Sequence, residues 1–215
     1  MEGAGMNYLA AFLGLLLAGC AHPAEALPIA EGDPQCVTDR AALMALDYWE
    51  FDQGADGIRA VLAKPGCELA AADLYRDYHA ALRARGAPVM ITLPNGEEWP
   101  MSETGEMSIL YWHEGQLRAF AGDAAGAASL FEQSLKTPEV SHSGWDEYVR
   151  GSIAFLRGDL QALMAARETM AGKVAPGYGD INLGVLDGLI ACFGRSYKEA
   201  YGAPECNRRP AAAAP

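Results

Sequence analysis

Histidines, serines, cysteines and paired carboxylates are the side chains through which this sequence could do chemistry. His113-Glu114 begins a helical zinc pattern in which a second imidazole four residues on would complete the metal site and the glutamate would serve as base. That later position is Leu117, so the pattern is not completed. His79 and His142 stand apart from other ligand types, as surface or partly buried polar residues commonly do. Ser141-His142-Ser143 sets two hydroxyls beside an imidazole, but a triad is made by geometry and not by chain neighbours. No G-x-S-x-G elbow occurs. Gly177-Tyr178-Gly179-Asp180 lacks both the phosphate-loop and the dinucleotide fingerprints and reads as a loop before a helix. Glu97-Glu98 and Asp146-Glu147 could act as acid and base, although a solvated hairpin arm and a solvated helix start account for them. The sequence assigns no catalytic residue, no metal ligand and no cofactor.

Cysteine chemistry is more specific. Residues Tyr8 to Ala18 are apolar or small and uncharged, too short a run to span a bilayer but long enough for an export signal. The run ends in Leu17-Ala18-Gly19-Cys20, which resembles the lipobox of bacterial lipoproteins. The resemblance implies a signal peptide over residues 1–19, acyl chains on Cys20 and a lipid-anchored tether over residues 20–35. It departs from the usual signal in having no Lys or Arg before Cys20. Ala21 in place of aspartate implies the periplasmic side of the outer membrane of a bacterial envelope. Three acyl chains exceed the two signals that stable anchoring requires. Ordinary secretory cleavage after Ala26 would instead give a soluble periplasmic or secreted chain. The remaining cysteines, Cys36, Cys67, Cys192 and Cys206, are even in number, as expected of an oxidising compartment. Three pairings are open, and proximity favours Cys36–Cys67 and Cys192–Cys206. No C-x-x-C spacing or neighbouring histidine suggests a metal or a reactive thiol.

The elements that position these groups are mostly helical. The chain carries 16 basic and 28 acidic residues, a net charge of −12, which would repel a phosphate backbone and argues against nucleic-acid binding. A domain is expected over residues 36–209, followed by a disordered tail at 210–215. Leu43, Leu46 and Trp49 recur at helical spacing from Thr38 until Gly54. Ile58, Val61 and Leu62 mark a short segment ending at Pro65-Gly66, and a helix from Glu68 to Arg85 follows. Residues 89–101, with Asn95-Gly96 at their centre, read as a β-hairpin with Pro100 at an edge, or as a loop.

From Thr104 the chain repeats itself. Trp112 to Asp123 and Tyr148 to Asp159 match in aromatic, glycine, aliphatic and Gly-Asp positions at an offset of 36. A fainter copy at Asp187 to Phe193 is one residue out of register. Such a period marks stacked helical hairpins. These copies resemble the tetratricopeptide repeat over about residues 104–201. The resemblance pairs Gly115 with Ala127 and Gly188 with Ala200, and Phe131 matches the large position on the second helix. Leu163 opposite Gly151, Arg167, Pro204 and the unmatched early tryptophan positions depart from it. The expected fold is all-α: stacked antiparallel hairpins in a short solenoid, with a small β-hairpin insertion.

On that architecture the expected function is a non-catalytic scaffold that binds an envelope protein or peptide on its concave face. Tyr111, Trp112, Arg118, Trp145, Tyr148 and Arg150 are the candidate contact residues, because aromatics beside arginine anchor peptides. The alternatives are a hydrolase or lyase acting on peptidoglycan or another envelope polymer through carboxylates, and a structural subunit of an envelope complex. The anchor itself is testable by intact mass of the protein taken from membranes. The expected species begins at an acylated Cys20, whereas a full-length chain with unmodified Cys20 contradicts it.

Overall fold

Asp39 begins the first helix. In the computed structural model, which describes residues 35–86, 88–103, 105–136, 144–174 and 178–207, α1 (Arg40–Ala45) is capped by the Asp39 carboxylate, which accepts a hydrogen bond from the Ala42 amide at 2.9 Å. The lipobox, Cys20, His142 and the tail lie outside the described residues. The helix expected to run on to Gly54 is instead broken in two. Leu46 is extended, and α2 (Tyr48–Asp52) restarts after Asp47. The break has a cause in tertiary structure: the Leu46 carbonyl accepts from the Tyr78 hydroxyl at 2.9 Å, and Asp47 accepts from the Thr92 amide at 3.2 Å. α3 (Ile58–Leu62) and α4 (Glu68–Ala84) fall where the periodicity places them. Cys36 and Cys67 stand at disulfide distance, with Cα atoms 5.5 Å apart, and pin the chain before α1 to the start of α4.

The hairpin is present. β1 (Met90–Thr92) pairs antiparallel with β2 (Glu98–Pro100), with Ile91 opposite Trp99. Gly96 supplies the left-handed turn position. Two strands alone are marginal in water. Ile91 is buried in the same core as Phe51 and Tyr78, which stack at 3.8 Å, so the hairpin is held by the helices.

The rest is helical: α5 (Glu106–Phe120), α6 (Ala124–Gln133), α7 (Trp145–Leu156), α8 (Leu160–Ala171), α9 (Tyr178–Ala191) and α10 (Tyr197–Gly202). α5 packs along α6, α7 along α8, and α9 against both α7 and α8. The turns explain the repeat. Gly122, Gly158 and Gly194, evenly spaced, all adopt the left-handed conformation. The amides of Asp123 and Asp159 return to the carbonyls of Arg118 and Ala154, and their carboxylates cap α6 and α8. In the third copy Ser196 takes over as cap one residue later, with Glu199 completing a capping box. Cys192 and Cys206, 5.6 Å apart at Cα, close this end. α5 serves two cores: Leu110 and Leu117 join the N-terminal one, while Trp112 joins the C-terminal one. Among the described residues no helix is long and apolar enough to cross a membrane.

Helices approach closely at glycine. A Cβ on Gly115 would lie 2.8 Å from the Phe131 ring, and one on Gly151 would lie 2.7 Å from Leu186. Phe131 is fully buried and stacked on Trp112 at 4.2 Å, so it has nowhere to retreat. Gly115→Ala is therefore expected to lower stability by about 1–2 kcal/mol, overpacking outweighing the helix propensity that alanine gains. Urea unfolding measures it; an unchanged or stabilised variant would contradict the packing.

Candidate functional site

Asp52 is the last residue of α2 and is only 3% exposed. A carboxylate taken out of water needs donors around it. Three side chains provide them. The Tyr75 hydroxyl from α4 donates to Oδ1 at 2.5 Å, the Gln53 amide donates to Oδ2 at 2.5 Å, and His113 Nδ1 from α5 meets Oδ1 at 2.6 Å. Burial alone would raise the Asp52 carboxyl; the hydrogen bond and charge of His113, with the bonds from Tyr75 and Gln53, outweigh it and hold the group below the usual carboxylate range. The Tyr75 phenol moves the other way, pushed well up by burial and by the Asp52 charge.

The ionised carboxylate fixes the imidazole. Asp52 can only accept, so Nδ1 carries a proton, and in the neutral ring Nε2 is the bare nitrogen. Nε2 has no hydrogen-bond partner among the described residues, and the His113 side chain is 26% exposed. It lines an open cavity of about 90 Å³ between α2, α3, α4 and α5. Ile58, Leu62 and Leu117 form the apolar wall, and Gln53, Arg59 and Gln116 contribute polar groups. Gln116 lies three residues after His113 on α5, on the same face. Arg59 donates to Gln53 Oε1 at 2.6 Å and has no carboxylate partner among the described residues. A hydrogen-bonded relay thus runs from Arg59 through Gln53 and Asp52 to His113.

No family model, curated protein or solved structure matches the chain.

The residues singled out in the sequence lie elsewhere, and burial removes half of the contact set. Trp112, Trp145 and Tyr148 are core residues, with Trp112 packed against both of the others. They fill the space between helices, and the Trp145 indole donates to the Ser134 carbonyl at 2.9 Å. None of the three offers a face to a partner. Tyr111 is half-buried, edge-on to His79 at 4.2 Å. Arg118 is committed to a chain of ion pairs between α4 and α5: it meets Glu114 at 2.8 Å and Asp73 at 3.1 Å, and Arg76 continues the chain to Asp77. The buried Glu114 carboxyl is pushed up by that burial, against the pull of Arg118. Arg150 alone is open, 55% exposed, and lies loosely over Asp146 and Glu147 at 3.8 and 3.6 Å. These two carboxylates are buried, not solvated as expected of a helix start. Asp146 accepts from the Lys136 amide at 2.9 Å, and Lys173 pairs with Glu147 at 2.6 Å.

In the sequence His113 shows only an incomplete zinc pattern, and its partner Asp52 lies 61 residues away. Asp52 closes an amphipathic helix, and nothing in its neighbours marks it as buried.

A second imidazole, that of the buried His79, has a measurable consequence. Burial, reinforced by Arg83, lowers the His79 pKa to about 4. The unfolded chain therefore binds a proton that the folded chain refuses between pH 6.5 and 4, so stability falls as pH falls through that window. Relative to His79→Gln, the native chain is expected to lose roughly 2–3 kcal/mol between pH 7 and 4.5. Parallel pH profiles in urea unfolding would contradict the assignment.

Proposed function

We propose that the chain is a lipid-anchored protein of the bacterial cell envelope that carries a general acid–base site, with His113 Nε2 as the proton-transfer atom and Asp52 as the residue that positions it. The observation that supports this most is the single carboxylate holding Tyr75, Gln53 and His113 Nδ1 at once, beside a cavity that His113 lines. A general base must have its tautomer and orientation fixed before substrate arrives. Converging titratable groups with displaced pKa values are the physical mark of such a site. The reaction class is hydrolysis or elimination on an envelope polymer. The carboxylate-based version has less support: Glu114 and Glu147 are each held by a cation, and Asp146 by an amide.

A second reading keeps a binding scaffold. The left-handed glycine turns at even spacing, with Gly115 and Gly151 against the following helices, support a short stack of tetratricopeptide-like hairpins. Such stacks present a face to a protein or peptide of the envelope. Its contact residues would be Tyr111 and Arg150 and not the buried aromatics.

Incubating purified sacculi and other envelope polymers with the native chain and with His113→Asn separates the readings. Polymer fragments or small acids released from the polymer, detected by mass spectrometry, are expected from the native chain only. Equal release, or none from either while in-cell crosslinking captures one partner with both, favours the scaffold.

A further inference from the structure

The cavity limits which bond the imidazole can act on. Glycoside hydrolysis commonly needs two carboxylates facing each other across the substrate. Here one carboxylate lines the recess, and all its partners are supplied from within the protein. Among the described residues no serine, threonine or cysteine lines the recess, so none of them supplies a nucleophile of that kind to its wall. What the recess does contain is a base, two kinds of donor and an apolar wall. The recess is small, about 90 Å³, and open to solvent on one side, so it seats a small group while the rest of a substrate stays outside.

Resting on the acid–base reading, we propose that the site hydrolyses short-chain acyl esters, acetyl esters above all. The acyl methyl lies against Ile58, Leu62 and Leu117, and the carbonyl oxygen faces Arg59 and Gln116. His113 Nε2 takes a proton from water as the water oxygen bonds to the acyl carbon. The negative charge that develops on the carbonyl oxygen is met by the Arg59 guanidinium, which is free of any carboxylate among the described residues. The C–O bond to the alcohol then breaks, Nε2 returns the proton to the departing alkoxide, and a carboxylic acid and an alcohol leave. Asp52 and Tyr75 are positioning residues; they touch the ring or its carboxylate and not the substrate.

The test uses the full chain in detergent with p-nitrophenyl acetate, butyrate and octanoate. Turnover is expected for acetate, with a steep fall by octanoate. His113→Asn, which can still bond Asp52, should reduce turnover to background. Arg59→Gln should lower it by about a hundredfold with the fold intact. Asp52→Asn should lower kcat and shift its pH profile, which a merely structural role would not do. Methyl 6-O-acetylglucoside and glyceryl monoacetate then tell a sugar-borne from a lipid-borne ester. No turnover above buffer, octanoate cleaved as fast as acetate, or His113→Asn equal to the native chain would each overturn the proposal. Polymer fragments that depend on His113 without any ester cleavage would overturn it while sparing the acid–base site.

Discussion

A buried carboxylate sets the terms for the N-terminal half of this protein. Asp52 could be ionised out of water only if donors surrounded it, and those donors come from its neighbour on the chain and from two further helices. The requirement therefore joins α2, α4 and α5 at one point. It also sets His113 in the wall of an open recess, with its second nitrogen unbonded among the described residues. Removing one partner of such an arrangement typically costs several kcal/mol, because what remains buried is unpaired. The same side chain thus carries a structural constraint and the chemistry proposed for it.

The C-terminal half obeys a different constraint, that of helix ends. Each turn glycine relieves the carbonyls of the preceding helix, and Asp123, Asp159 and Ser196 cap the helices that follow. Small residues then let helices approach where larger side chains from the facing helix project. α5 belongs to both halves: its leucines pack toward α4 and its tryptophan toward α6 and α7. Rotation of α5 would shift His113 along with Trp112, so the packing of the helical pairs fixes the geometry of the recess from a distance. The ion-pair chain from Glu114 through Arg118 to Asp73 and Arg76 holds α5 against α4 in the same register.

Local signals were the legible part of the fold. The Gly-Asp turns, the Asn-Gly hairpin and the Cys36–Cys67 and Cys192–Cys206 pairs follow from backbone preference and short-range proximity, which a sequence displays directly. The break at Leu46 was not legible, because Tyr78 and Thr92 cause it from far along the chain. The site was hidden for the same reason. Trp112 and Trp145 read as anchors since aromatic type is visible and burial is not. Asp52 and His113 read as unremarkable since each is ordinary in its own helix. Their meaning arises only when α2 and α5 are brought together, a contact that helical periodicity does not encode.

The most direct test of the account is the tautomer of one ring. Long-range nitrogen–proton correlation spectra of the His113 imidazole report which nitrogen holds the proton. The account predicts Nδ1 protonated and Nε2 bare in the neutral ring, with that preference lost in Asp52→Asn. A ring protonated at Nε2, or one whose tautomers do not respond to Asp52→Asn, would mean that the carboxylate does not orient the imidazole, and the acid–base site would fall with it.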